Sequence, residues 1–181
     1  MENQRIRVTK TILKDALLRL LHEKPLDKIT VYELCQEAEI NRSTFYKYYG
    51  SPQDLLEDAE DDFFAEMQNN LRNIEKMDTD RRVQALEYLF SQRDTFRALV
   101  NAAGEGRFVE RLSGFLPASD SIRKIFESER LTEAQKRYFS LFYASGGYAI
   151  IRSWLFADAP EPASEIVRLI EILTNHGAGG L

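Results

Sequence analysis

The sequence predicts an all-α fold, in which an N-terminal three-helix head containing a helix-turn-helix leads into a C-terminal helical bundle. Three observations carry this. Helix-starting residues recur along the chain, each followed by apolar positions at i, i+3, i+4 and i+7. Nothing in the body of the chain reads as apolar and polar residues alternating with the period of two that a half-buried strand needs. Two helix starts, at Thr30 and Asn41, stand so close that only two turns of helix and a tight turn fit between them.

Arg5 to Glu23 reads as the first helix, with Ile6, Ile12, Leu13, Ala16, Leu17, Leu20 and Leu21 as its apolar positions. Lys24-Pro25 stops it, since proline disfavours helical backbone in the residue before it. Arg5, Arg7 and Lys10 read as outward cations able to reach phosphates. Thr30 with Glu33 is a capping box, stapled by Ile29 against Leu34, and Val31, Leu34, Cys35 and Ala38 form the buried stripe of a two-turn helix. Asn41 caps the next helix, with Ile40 placed to staple onto Phe45. In that helix Phe45 and Tyr49 face inward, while Arg42, Ser43, Thr44, Tyr46 and Lys47 lie on the outer side.

This outer set holds five hydrogen-bonding side chains and no carboxylate, whereas the helix before it carries Glu33, Glu37 and Glu39 on its solvated side. A surface without a task usually mixes signs. Major-groove reading needs this chemistry: Arg for guanine edges, Ser and Thr for phosphates or bases, Tyr and Lys for phosphate oxygens. Lys28, Thr30, Asn41 and Tyr48 flank the set and join it as candidate DNA contacts.

Gly50-Ser51-Pro52 ends this helix and opens a long one, with Ser51 as N-cap, Pro52 at the first helical position and Asp54 completing a capping box. It runs to about Lys76, with Leu55, Leu56, Ala59, Phe63 and Met67 inward. Its acidic start, from Asp54 through Glu57, Asp58, Glu60, Asp61 and Asp62, lacks any His or Cys and reads as carboxylates favoured by the helix dipole, not as a metal site. Beyond Asp78 four helical stripes follow: Val83, Leu86 and Phe90; Phe96, Leu99 and Val100; Phe108, Val109, Leu112 and Phe115; Ile122, Ile125 and Phe126. Gly104 to Gly106 and Gly114 to Ser121 break them. Thr132 and Gln135 cap a long helix reaching about Ala157, and Pro160-Glu161-Pro162 starts a last one striped by Ile166, Leu169, Ile170 and Leu173. From His176 onward the chain is Gly-rich and reads as a frayed end.

The net charge of -5 is unevenly spread. Residues 1–50 hold nine Lys/Arg against seven Asp/Glu, so the remainder carries -7. That is the sign expected of a DNA-binding head on an acidic body. With no apolar run near ~18 residues and no apolar segment in the first residues, the chain reads as cytoplasmic and without a membrane partner. The lone Cys35 sits on a buried stripe. His22 and His176 stand far apart with no partner pattern, and Gly104-x-Gly106 lacks a preceding strand, so no catalytic residue, metal site or cofactor is expected and the chain does not read as an enzyme.

The run Ala38-Glu39-Ile40-Asn41-Arg42-Ser43-Thr44-Phe45-Tyr46-Lys47-Tyr48-Tyr49, with Leu55-Leu56 after it, resembles the signature A-G-V-S-x-x-T-[LF]-Y-x-[HY]-F-x-x-K-x-x-L of the TetR family of bacterial transcription regulators. Glu39 stands where the family often has Gly; a left-handed turn there costs a non-glycine on the order of 1 kcal/mol. Pro52 stands where the family often has a backbone-touching Lys. The resemblance implies a DNA-binding domain over residues 1–50 and a regulatory and dimerisation domain over 51–181. It implies a homodimer on a near-palindromic double-stranded operator, in most members a repressor released by a small-molecule effector. Phe63, Met67, Phe96, Phe108, Phe142 and Tyr143 are candidates to line a pocket for an apolar ligand, which such pockets suit. The stretch from Phe142 to Leu155, with Gly146-Gly147 before an apolar run and then Trp154-Leu155, is similar to a C-terminal pattern of one subgroup. The last two long helices are apolar over more than one face, and the resemblance implies that they form the dimer interface, so Ile150, Trp154, Leu155, Ile166, Leu169, Ile170 and Leu173 are expected there. The alternative is a co-regulator whose body binds a protein partner in place of a ligand.

Overall fold

The computed structural model describes residues 4–71, 78–104, 106–108, 111, 131–158 and 160–178, and every regular element among them is helical. Helix α1 spans Gln4–Glu23, a 3-10 turn covers Leu26–Lys28, and α2 is Val31–Glu37, α3 Arg42–Phe45 and α4 Pro52–Leu71. Then come α5 (Thr79–Ser91), α6 (Arg93–Ala103), α7 (Glu133–Phe156) and α8 (Ala163–Ala178). The expected continuation of α4 to Lys76 and the stripes at Val109, Leu112 and Phe115 and at Ile122, Ile125 and Phe126 lie outside the described residues, as does the break from Gly114 to Ser121. No described helix is long and apolar enough to cross a membrane.

The chain divides into two compact units, Met1–Glu66 with Asp94–Gly104, and Met67–Arg93 with Glu105–Leu181. In the first, α1 buries Leu13, Ala16, Leu17 and Leu20, one stripe at helical spacing. Ile12, expected inward, lies a step round the helix from that stripe and is 39% exposed. Lys14 is buried in its place on the flank of the stripe, because carboxylates of α4 receive its ammonium. Leu34, Cys35 and Ala38 from α2, Phe45 and Tyr49 around α3, and Leu55, Leu56, Ala59, Phe63 and Phe64 from α4 complete the core with Phe96, Leu99 and Val100 of α6. Full burial of each large side chain stabilises by roughly 1.5–3 kcal/mol, so a head this small is held chiefly by these residues.

In the second unit α8 packs on α5 and α7. Ala85, Leu86 and Leu89 are the buried positions of α5, a face turned slightly from the expected Val83, Leu86 and Phe90, of which Val83 and Phe90 are only half-buried. Trp154 stacks against Phe90 at 5.1 Å between ring centroids, and its Nε1 donates to the Glu161 carbonyl at 2.7 Å. Arg82 donates to Glu171 at 2.6 Å, tying α5 to α8. The Thr132 capping box of α7 is present in both arms, and Asp78 caps α5 by accepting from the Arg81 amide at 2.9 Å.

Candidate nucleic-acid interface

Helix α2 starts at Thr30 as its sequence requires. The hydroxyl accepts from the Glu33 amide at 3.2 Å, and the Glu33 carboxylate accepts from the Thr30 amide at 3.0 Å and hydroxyl at 2.9 Å. Lys24 donates to the other oxygen of that carboxylate. The Lys24 ammonium first, then the Thr30 amide and hydroxyl, hold the Glu33 carboxyl down at about 2. Arg19 pairs with Glu37 at the far end of the helix. Burial pushes the Cys35 thiol up, with the Arg42 charge opposing it, so this cysteine stays protonated and packs as a small apolar group.

The turn after α2 is made by Ala38, whose amide reaches the Leu34 carbonyl at 2.9 Å, and by Glu39 at φ 54, the left-handed region. Ile40 then donates to Cys35 at 2.9 Å. Asn41 has the extended backbone of an N-cap (φ -69, ψ 143), but its side chain makes no capping bond, contrary to expectation. Helix α3 is a single turn, prolonged by Tyr46 in helical conformation and by Tyr48 and Tyr49, whose amides both return to Phe45. Phe45 and Tyr49 are buried, their rings 5.8 Å apart.

Those two anchors turn the other side of the segment outward. Asn41, Arg42, Ser43, Tyr46 and Lys47 are exposed, while Thr44 and Tyr48 are half-buried. Among the described residues, none of these seven side chains spends a hydrogen bond or ion pair within the chain. The surrounding polar groups contrast with them, because Lys24, Arg19, Glu33 and Glu37 are all paired with one another.

Two candidates fare differently. Lys28 is exposed and only 4.0 Å from the equally solvated Asp27, so its ammonium is available. Thr30 is not: its oxygen both donates and accepts inside the capping box, and contacting a phosphate through it means breaking the cap. Lys10, read as a phosphate-reaching cation, instead stands 3.6 Å from Asp58 and 5.9 Å over the Tyr49 ring. The sequence reading missed Tyr32 and Gln36, which share an outer face of α2; Tyr32 is 56% exposed, and Gln36 Nε2 donates to its hydroxyl at 2.6 Å. Their i, i+4 spacing off the Leu34-Cys35 stripe was the available signal.

The six pocket candidates are divided between the two units. Phe63 and Phe96 are core residues of the first unit, their rings 6.1 Å apart. Met67 and Phe108 are buried in the second unit. Tyr143 is half-buried, its hydroxyl pushed up by burial, and contacts Phe139 at 4.5 Å and Phe142 at 5.4 Å. Phe142 is 72% exposed, a surface ring and not a pocket wall.

Of the interface candidates, Trp154, Leu155 and Ile166 belong to the core of their own unit, where Phe90 and the carbonyl of Glu161 already satisfy the indole. Their apolar area is already buried within the chain. Ile150 and Ile170 are half-buried, and Leu169 and Leu173 are exposed. Ile172 on α8 and Tyr138 and Leu141 on α7 are further exposed apolar side chains that the sequence reading passed over.

A helical head presenting this short, uncommitted polar segment, followed by a helical second unit, defines a helix-turn-helix regulator. Residues 13–59 match the family model of bacterial regulatory proteins of the tetR family, and residues 79–176, more than half of the chain, match a transcriptional regulator C-terminal region of the same group. The chain belongs to the TetR family. It is 23% identical over 174 residues to YxbF of Bacillus subtilis strain 168, an uncharacterized HTH-type transcriptional regulator; the match covers 86% of this chain and 42% of that protein's length. The fold is that of a TetR transcriptional regulator from Streptococcus agalactiae 2603V, with a TM-score of 0.70, 21% identity and coverage of 94% of this chain and 96% of that one. It also resembles the dihydroxyacetone kinase operon activator DhaS, at a TM-score of 0.65 and 19% identity, covering 96% of this chain and 98% of that one.

Proposed function

We propose that this chain is a sequence-specific DNA-binding transcriptional regulator, a homodimeric repressor whose hold on a near-palindromic operator is released by a small apolar effector. The observation that carries the DNA-binding reading is the outer face from Asn41 to Lys47: exposed donors, no carboxylate and, among the described residues, no side-chain hydrogen bond or ion pair. Arg42 is the proposed base reader, with Ser43, Tyr46 and Lys47 on phosphates and Lys28 on the flanking backbone. Family membership supports the dimer and the effector, since a helix-turn-helix reads few base pairs and gains specificity by pairing half-sites.

The test is to enrich operators from random duplexes and compare variants on them. Arg42→Ala is expected to cost about 1–3 kcal/mol and to relax preference at one base pair per half-site. Tyr46→Phe should weaken all sequences alike, as loss of a phosphate contact does. An Arg42→Ala protein that binds every sequence like the wild type removes this segment from the interface.

A further inference from the structure

The recognition segment is too short to hold itself. One turn of helix fixes its dihedrals for very few hydrogen bonds, and α3 has no side-chain cap at Asn41. Its orientation must come from outside, and the two inward residues supply it differently. Phe45 is fully buried, an anchor with no direction. Tyr49 is also buried, but its hydroxyl donates to Asp58 Oδ2 on α4 at 2.5 Å.

That carboxylate is itself fixed from α1. Lys14 Nζ lies 3.0 Å from Asp58 Oδ2 and also bonds Asp62 one turn along α4; Lys10 Nζ lies 3.6 Å from Asp58 and covers the Tyr49 ring. Four charges and one hydroxyl thus tie α1, the end of the recognition segment and α4 together inside the head. Burial opposes the charge on Asp58, yet the Tyr49 hydroxyl and the Lys14 ammonium hold its carboxyl below the usual range, so Asp58 accepts the hydroxyl as a carboxylate. Base contacts tolerate little error in side-chain placement, whereas attraction to phosphates tolerates much.

We propose that Tyr49 and Asp58 are positioning residues for DNA recognition: their bond sets the angle at which the Arg42–Lys47 face meets the groove, so that losing it costs operator affinity and spares non-specific binding. This rests on residues 42–47 being the recognition surface. Neither residue touches DNA itself, and every cation that does is left in place by their substitution.

The experiment uses the full chain, an operator duplex enriched by the wild type and a scrambled duplex of equal length. Tyr49→Phe keeps the buried ring and removes only the hydroxyl. It should lower operator affinity by about tenfold, the scale of one hydrogen bond to a charged group, with scrambled-duplex affinity and its salt dependence unchanged. Asp58→Ala should lower operator affinity at least as much, since it also unpairs Lys14 and Lys10, and the double variant should be no weaker than Asp58→Ala, because the Tyr49 bond is lost only once. If Asp58→Ala does not fold, Tyr49→Phe decides alone. Unchanged operator affinity in Tyr49→Phe overturns the inference, and so does a parallel loss on both duplexes that follows helical content. Arg42→Ala, run beside them, separates the two readings: weakened Arg42→Ala with intact Tyr49→Phe sinks the positioning role only, and no effect of either sinks the recognition surface with it.

Discussion

Glu33 shows how much a single carboxylate does for this head. It closes the capping box on Thr30, takes the Lys24 ammonium and so joins the start of α2 to the end of α1. Its folded value of about 2 lies below the ordinary 4.5, which makes its charged form the one the fold prefers. A depressed carboxyl contributes stability above its unfolded value and loses it as pH falls toward the folded value. The acid limb of head stability should therefore include a loss that sets in around 4.5 and continues as pH falls through about 2. Glu33→Gln should lower stability at neutral pH and flatten that part of the limb, read by thermal melts followed by circular dichroism across the range. A Glu33→Gln protein with the wild-type acid profile shows that the carboxylate is not linked to folding.

At the scale of elements the turn between α2 and α3 is where the chain departs most from its best local choice. Glu39 adopts φ 54, so a Cβ sits where only glycine is at ease. The left-handed conformation costs a side chain roughly 1–2 kcal/mol, against roughly 0.5–1 kcal/mol of extra chain entropy that glycine loses on folding. Glu39→Gly should thus stabilise the protein by about 0.5–1 kcal/mol, measured by denaturant melts, and a destabilised variant contradicts the strain argument. That turn was legible in the sequence because caps and turns depend on neighbours: the boxes at Thr30 and Thr132 are both formed as their spacing predicts. Pairings between distant helices were not legible. The acidic start of α4 reads locally as dipole compensation, yet Asp58 and Asp62 receive Lys14 from α1, and Lys10 turns to Asp58 instead of outward. Nor does a stripe disclose which apolar face is covered by its own unit: Trp154 and Leu155 crowd one side of α7, and that side proves to be the protomer core.

For the whole molecule, the question left by that core is what covers the remaining apolar surface. Leu169, Ile172 and Leu173 of α8 are 43%, 43% and 49% exposed, and on α7 a Cβ added at Gly146 would meet nothing within 4 Å. Two interior glycines cost a helix roughly 1 kcal/mol each, and open space beside Gly146 is what the close approach of a second helix would use. A second copy of this chain is the proposed occupant, since two heads are needed to read a two-fold operator. Leu169→Glu and Leu173→Glu place charge in the proposed contact while leaving Ala163, Ile166 and Val167, buried positions of α8, untouched. The double variant should sediment as a monomer, keep its helical circular dichroism, and lose operator affinity by on the order of 100-fold or more, the gain that two linked half-sites provide. A dimer that persists with unchanged affinity places the interface on another face, while loss of helical signal would assign both leucines to folding instead of assembly.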